Sequence, residues 1–344
     1  MEKTKCCKKY LCLLLGLAFL SAMSILCTGL LKANYGSTDF SVVSFLTQYV
    51  GLLAASVAVM LLTARFGREL LEQYCWAFPL LLIILSNFMR GNELTIFGTS
   101  VEVLPLVSAL ALVGLAVYFD RFAVNSPVHM TVYGVLNLAL VVEFRSQGVL
   151  MLMLLVLNLI LFVNALHEKQ LKGKYSWLVF LCVLAAATFF AARRVVYGIF
   201  DWRTYCDDPQ YIITYIRRAL GNLSAFGGSN PMTVTGGNAR TYRLIWIMEG
   251  VGWVPGALAL AALVAFALAV LRRHFLASAE DRPFTGAVVS VILVRTVIFI
   301  LANFGIVLNT VFASAPLLSE GTSGYFATFL LIGLLLSSGK QEEA

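Results

Sequence analysis

The chain has 344 residues, 60% of them hydrophobic and 12% charged, with a formal net charge of +7. Soluble domains carry about 25% charged residues, so a water-soluble enzyme is excluded. A helical membrane span needs roughly 20 apolar residues, and apolar stretches for about ten such spans follow one another along the sequence.

A lysine-rich tail, Lys3, Lys5, Lys8 and Lys9, precedes a first span at about Leu11–Leu31. No small-residue cleavage site follows it, which predicts a retained helix rather than a signal peptide. Further spans are expected at about Ser44–Leu62, Cys75–Met89, Val101–Tyr118, Val128–Val142, Gly148–Val163, Ser176–Ala191, Leu244–Leu271, Phe284–Leu301 and Gly324–Leu336. The eighth contains Gly250, Gly252, Pro255 and Gly256, so a break or kink is expected near one end. With the N-terminus inside, fourteen lysines and arginines fall on inner tails and loops and three on short outer loops. The positive-inside bias therefore puts both termini in the cytoplasm. The long segment 192–243 between spans seven and eight is then extracytoplasmic. The expected fold class is all-α, a polytopic integral membrane protein of one domain spanning residues 1–344.

Metal and disulfide chemistry find no support. The seven cysteines form no Cys-x-x-Cys pair, and His129, His167 and His274 lie far apart. Cys6 and Cys7 read as ordinary cytoplasmic thiols beside the membrane. The long segment carries seven arginines against three acids, Asp201, Asp207 and Asp208. Guanidinium forks match phosphate and diphosphate groups, so Arg217, Arg218, Arg240 and Arg243 are candidate anion-binding residues. At least two of them are expected to converge beside the mouth of spans eight and nine. A charged face meeting lipid headgroups is the simpler alternative. Asp207-Asp208-Pro209 starts a turn before an amphipathic helix at Gln210–Leu220, on which Tyr211, Tyr215 and Arg218 fall near one another. No Gly-x-x-x-x-Gly-Lys run occurs, so a nucleotide loop is not indicated. Nucleic acid is not expected as a partner because the basic groups lie outside.

Charges within spans cost roughly 2.5–3.5 kcal/mol each on insertion scales. Arg295 stands mid-span and is expected to meet Glu249, Glu102, carbonyls at the span-eight break or a hydrated groove. Glu249 adjoins both the arginine-rich segment and the glycine break. Glu102 reads as interfacial.

Several motifs now fall in order within this topology. They are Gln48 with Gly51, Ser146-Gln147-Gly148, Asp208-Pro209 with Tyr211, and Ala219 with Gly227-Gly228. Glu249 with Gly252-Trp253, Asn303-Phe304-Gly305 and the run Ala315-Pro316-Leu317-Leu318-Ser319-Glu320-Gly321-Thr322-Ser323 complete the series. Together they resemble the SEDS family (the FtsW/RodA/SpoVE group) of bacterial shape, elongation, division and sporulation proteins. That family includes ten-span lipid II glycosyltransferases. The resemblance implies a bacterial cytoplasmic-membrane protein of peptidoglycan synthesis, a lipid II-like precursor as ligand and a single-span transpeptidase as partner. A divalent cation is compatible with such a site, although no residue pattern indicates one.

Departures from the family accompany the matches. Where active members end the loop in Thr-Asp-Phe-Ile-Phe, this chain reads Arg240-Thr241-Tyr242-Arg243-Leu244-Ile245, with no acid. Ser146 replaces an aspartate, the family's Pro-x-Thr-Gly is absent, and so is a lysine of span four. Glycosyl transfer needs a base for the attacking hydroxyl and cations for the leaving diphosphate. The implied base candidates are Glu249, Asp207 and Asp208. Substrate contacts fall to Arg217, Arg218, Arg240, Arg243, Arg295 and Tyr242. Tyrosine, with a pKa of about 10, is a poor base. Enzyme status therefore stays open between a polymerase with a relocated base and a binding or scaffolding member. Transport or flipping of a lipid-linked or anionic substrate is the alternative from another class.

Overall fold

The computed structural model describes residues 2–35, 41–88, 93–96, 99–144, 148–168, 171, 173–194, 208–226, 242–278, 281–306, 316–318 and 322–337. Thirteen α-helices occur among them, in chain order. They are α1 (Glu2–Tyr35), α2 (Val42–Leu62), α3 (Arg68–Tyr74), α4 (Ala77–Phe88), α5 (Val103–Tyr118), α6 (Pro127–Glu143) and α7 (Gly148–His167). There follow α8 (Lys174–Arg194), α9 (Asp208–Gly221), α10 (Arg243–Gly250), α11 (Trp253–Phe275), α12 (Arg282–Asn303) and α13 (Thr322–Ser337). Seven apolar stretches among the described residues are long enough to cross a membrane, and three shorter apolar helices lie at 77–87, 127–143 and 324–337. This is the all-α polytopic architecture expected from composition.

Three local features depart from the expected boundaries. The chain does not leave the helix after Leu62. A π-helical turn, Thr63–Gly67, carries it into α3, so the loop expected around Arg65 and Arg68 is helical. A second π turn, Phe119–Ala123, extends α5. A two-stranded antiparallel hairpin, β1 (Glu93–Ile96) and β2 (Thr99–Glu102), pairs Leu94 with Val101 and Thr95 with Ser100 ahead of α5. The β-branched residues Thr95, Ile96, Thr99 and Val101 suit a strand.

α5 and α12 are the most enclosed of the long apolar stretches, and α2 is the least. α12 is largely apolar and is buried over most of its surface, as befits a helix inside the bundle. It packs against α7, α5 and α11, while α1 lies along α11 and α13 crosses α2. Between α6 and α7 a polar clasp is fully buried. The Tyr133 hydroxyl donates to Asn158 Oδ1 at 2.7 Å, and Asn137 Nδ2 donates to the same oxygen at 2.9 Å. Asn158 Nδ2 in turn donates to the Leu154 carbonyl at 2.8 Å.

One end of the bundle gathers the ion pairs found among the described residues. Arg68 bridges Glu72 and Asp281 at 2.7 Å each, Arg121 pairs with Glu72, and Arg282 reaches Glu168 at 3.5 Å. Arg68, Arg121 and Arg282 are among the residues placed on one membrane face by the charge count. α9, α10, the start of α11 and the end of α12 lie at the opposite end.

Candidate functional site

Asp208-Pro209 opens α9, with proline in the first turn where its missing N–H costs nothing. Ile216 and Ala219 turn inward from this helix and are buried, whereas Arg217 and Arg218 are exposed. The chain then turns through Asn222, whose N–H donates to the Ala219 carbonyl at 3.0 Å.

The expected break in the eighth apolar segment lies at Val251–Gly252, between α10 and α11. Gly252 has φ +116 and ψ 159, a region open in practice only to glycine. The turn after α9 docks into this break. Trp253 N–H donates to Ser224 O at 2.9 Å and Val254 N–H to Ala225 O at 3.3 Å. The first amides of α11, unsatisfied in any isolated helix, are thus consumed by the loop. At the other end of α10, the Ile245 N–H donates to Asn303 Oδ1 at 3.0 Å. α10 is thereby tied to the end of α12.

Between α9 and α10 lies a cavity of about 200 Å³ lined by Tyr215, Arg218, Ala219, Asn222, Leu223, Ser224 and Glu249. Glu249, 8% exposed, sits in the last turn of α10. The Tyr215 hydroxyl lies 2.5 and 2.6 Å from its two carboxylate oxygens. Burial holds the Glu249 carboxyl above its ordinary value, and the hydrogen bond from Tyr215 pulls the other way. The negative end of a helix adds nothing favourable to a carboxylate there. Arg218 lines the same cavity without forming an ion pair with Glu249. An acid, a phenol and a guanidinium therefore share one small polar recess, which suits an anionic group beside a hydroxyl that loses a proton.

The remaining sequence candidates distribute differently. Arg243 does not join Arg218. It stands six residues before Glu249 on α10, about 240° around the helix at 3.6 residues per turn, and so faces α1. It is 1% exposed, donates to Thr28 Oγ1 at 3.0 Å and stacks on Trp246 at 5.0 Å. Tyr242, which with Thr241 is one of the two positions that can align with the family's acid, is buried and precedes the first turn of α10. Arg295 is 4% exposed in the middle of α12. No hydrogen bond or ion pair joins it to Glu249 among the described residues, since both oxygens of that acid face Tyr215. Arg217 is exposed on α9 outside the cavity lining. The side chain of Asp208 is not described, and Asp207 and Arg240 lie outside the described residues. No group of three or more histidine, cysteine or acidic residues able to hold a metal occurs among the described residues.

The sequence pattern placed Tyr215 beside Arg218 but gave it no role toward Glu249. Asn222, Ser224 and Asn303 also gain functions here, lining or positioning, that spacing alone did not supply.

No family model matches the sequence, and no curated protein matches it. Solved structures do. The Thermus thermophilus rod shape determining protein RodA aligns with a TM-score of 0.60 at 16% identity, over 96% of this chain and 97% of that one. An aspartate-to-alanine variant of that RodA gives 0.59 at 18%, over 96% and 98%. The chain has the RodA fold.

A third structure, described as coordinating polymerization and crosslinking in a peptidoglycan synthase complex, gives a TM-score of 0.65 at 18% identity, over 95% and 98%. The SEDS resemblance drawn from ordered motifs is therefore matched in three dimensions along nearly the whole chain. At 16–18% identity the RodA helix arrangement persists although more than four in five aligned side chains differ. The multi-pass membrane character follows from this fold together with the apolar helices.

Proposed function

We propose that this chain is a divergent SEDS-type protein of peptidoglycan synthesis, one domain over residues 1–344, that holds a lipid II-like precursor beside the cavity between α9 and α10. The observation that carries this reading is the meeting of Arg218, Tyr215 and Glu249 in one recess of a RodA fold. Arg218 faces the diphosphate, with Arg217 and Arg240 on the same extracytoplasmic segment as further cationic contacts. Glu249 is the base for the acceptor hydroxyl, ahead of Asp207 and Asp208. In that step the acceptor oxygen bonds to the anomeric carbon, its proton passes to the Glu249 carboxylate, and the diphosphate leaves with the bonding electrons. Arg243, Tyr242 and Arg295 act from behind the recess, holding α10 and α12 in place. Both termini face the cytoplasm, and a single-span transpeptidase is the expected partner.

The test is glycan-chain formation from labelled lipid II by purified wild type, Glu249→Gln and Tyr242→Asp, alone and with a co-purified transpeptidase. The expected result is slow polymerisation that Glu249→Gln lowers by roughly 10²–10⁴-fold, the usual worth of a general base. Polymerisation that survives Glu249→Gln overturns the base assignment. An inactive wild type that gains activity as Tyr242→Asp marks a precursor-binding member without its own base.

A further inference from the structure

We infer that Tyr215 is a positioning residue that keeps Glu249 able to ionise, acting as a hydroxyl donor that α9 delivers to the acid of α10. The inference rests on the reading of Glu249 as a base and adds a residue to it. Its ground is the disposition of donors around the carboxylate. A buried acid at the end of a helix needs a hydrogen-bond donor to carry charge, because burial alone favours the neutral form.

Each neighbouring element was a possible source of that donor. α11 begins immediately after the break, and its first amides would suit a carboxylate. Those of Trp253 and Val254 are already given to Ser224 and Ala225. The first charged side chains on α11 are Arg272 and Arg273, at its far end. α12 presents Asn303 to α10, but that side chain accepts from Ile245 at the start of α10, and its amide donates to Phe299 O at 2.8 Å. Arg295 lies eight residues earlier on α12, about 12 Å along the axis. α1 meets α10 through Thr28, which takes Arg243 rather than Glu249. Arg218 of α9 shares the cavity without an ion pair to the acid. Among the described residues, only the phenol of Tyr215 reaches both oxygens.

The geometry also makes this donor conditional. Tyr215 stands one residue before Ile216 and four before Ala219, the buried residues that seat α9 against the body. The Ser224–Ala225 turn pins the end of the same segment to α11. The Tyr215 hydroxyl is thus offered to Glu249 only while α9 is seated on the body.

The experiment is an infrared titration of purified protein in detergent, with no substrate. The carbonyl stretch of a protonated carboxyl is followed against pH, and the Glu249 band is identified as the one lost in Glu249→Gln. In Tyr215→Phe the midpoint of that band should move up, because burial then acts unopposed. Tyr215→Gln, which restores an N–H donor, should bring it back toward wild type. A midpoint unmoved or lowered in Tyr215→Phe overturns the inference. If Tyr215→Phe does not fold, donor-bearing Tyr215→Gln is compared with donor-free Tyr215→Met, and equal midpoints overturn it. Where polymerisation is measurable, the acid limb of the kcat profile should shift up with the band while KM for the precursor holds. A shifted band with no polymerisation would sink the base assignment and leave the positioning role standing. Polymerisation with an unshifted band would do the reverse.

Discussion

A Cβ built on Gly252 would lie 2.5 Å from the carbonyl oxygen of Ala225, closer than any real side-chain carbon sits to a backbone atom. The glycine at the break of the eighth segment is therefore needed twice, for its positive φ and for the approach of the α9 turn. Gly252→Ala should cost about 1–3 kcal/mol for the backbone region alone. It should also unseat the Ser224–Ala225 turn. Thermal unfolding in detergent reads the first effect, and faster proteolysis after α9 reads the second.

The buried clasp between α6 and α7 gives a second prediction. Replacing Asn158 with leucine removes the acceptor of both Tyr133 and Asn137 and leaves buried donors unmet, at about 1–3 kcal/mol. Tyr133→Phe removes a hydroxyl that donates to Asn158 and accepts from Asn137 at 3.2 Å, but it leaves the two asparagines paired, so its cost should be smaller. The double change Asn137→Leu with Asn158→Leu should cost less than the sum of the single changes. Unfolding midpoints of wild type, Asn137→Leu, Asn158→Leu and the double change, compared as a cycle and with Tyr133→Phe beside them, test this.

Stability should also depend on the protonation of Glu249. Its folded-state carboxyl lies above the unfolded value of about 4.3, because burial outweighs the Tyr215 hydrogen bond. The folded protein thus holds this proton more tightly. The contribution is full below the unfolded value and is lost as pH rises through the raised one. Melting temperature should fall across that window in wild type, with a shallower fall in Glu249→Gln. Parallel curves for the two proteins would contradict the sign.

Two arginines that look equivalent in sequence should separate in experiment. Arg218→Gln should weaken binding of a diphosphate lipid and leave the unfolding midpoint nearly unchanged, since the side chain is exposed at the cavity edge. Arg243→Lys should do the opposite. It gives up the stack on Trp246 and the planar donor to Thr28, a loss of about 1–2 kcal/mol, without touching the recess. Lipid binding and melting measured on the same samples decide the matter.

What could be read from sequence was what local chemistry decides. The apolar run lengths located the helices. The glycines and Pro255 located the break, and Asp208-Pro209 located the start of α9 within two residues of the expected Gln210. Partnerships across the bundle were not legible. Tyr215 and Glu249 are 34 positions apart and Arg243 and Thr28 are 215 apart. In a membrane the lipid is as apolar as the interior, so composition does not reveal which face of a helix turns inward. That is why Arg243 read as a partner of Arg218 when it faces α1. The hairpin at 93–102 and both π turns went unread for a related reason, since each is a small insertion within an otherwise continuous pattern.

The π turn at Thr63–Gly67 packs against α13 so closely that a Cβ on Gly333 would collide with Thr63 Oγ1. A π turn amounts to one residue inserted into an α-helix, and one residue is about 100° of rotation. The helix before it and the helix after it are therefore out of phase. That offset is what aims Arg68 at Asp281 and Glu72 at Arg121 while α2 keeps its own face toward α13. Deleting a single residue between 63 and 67 would shorten the 33-residue apolar stretch by only one residue. It would swing both ion pairs off their partners together, a change of angle rather than of composition.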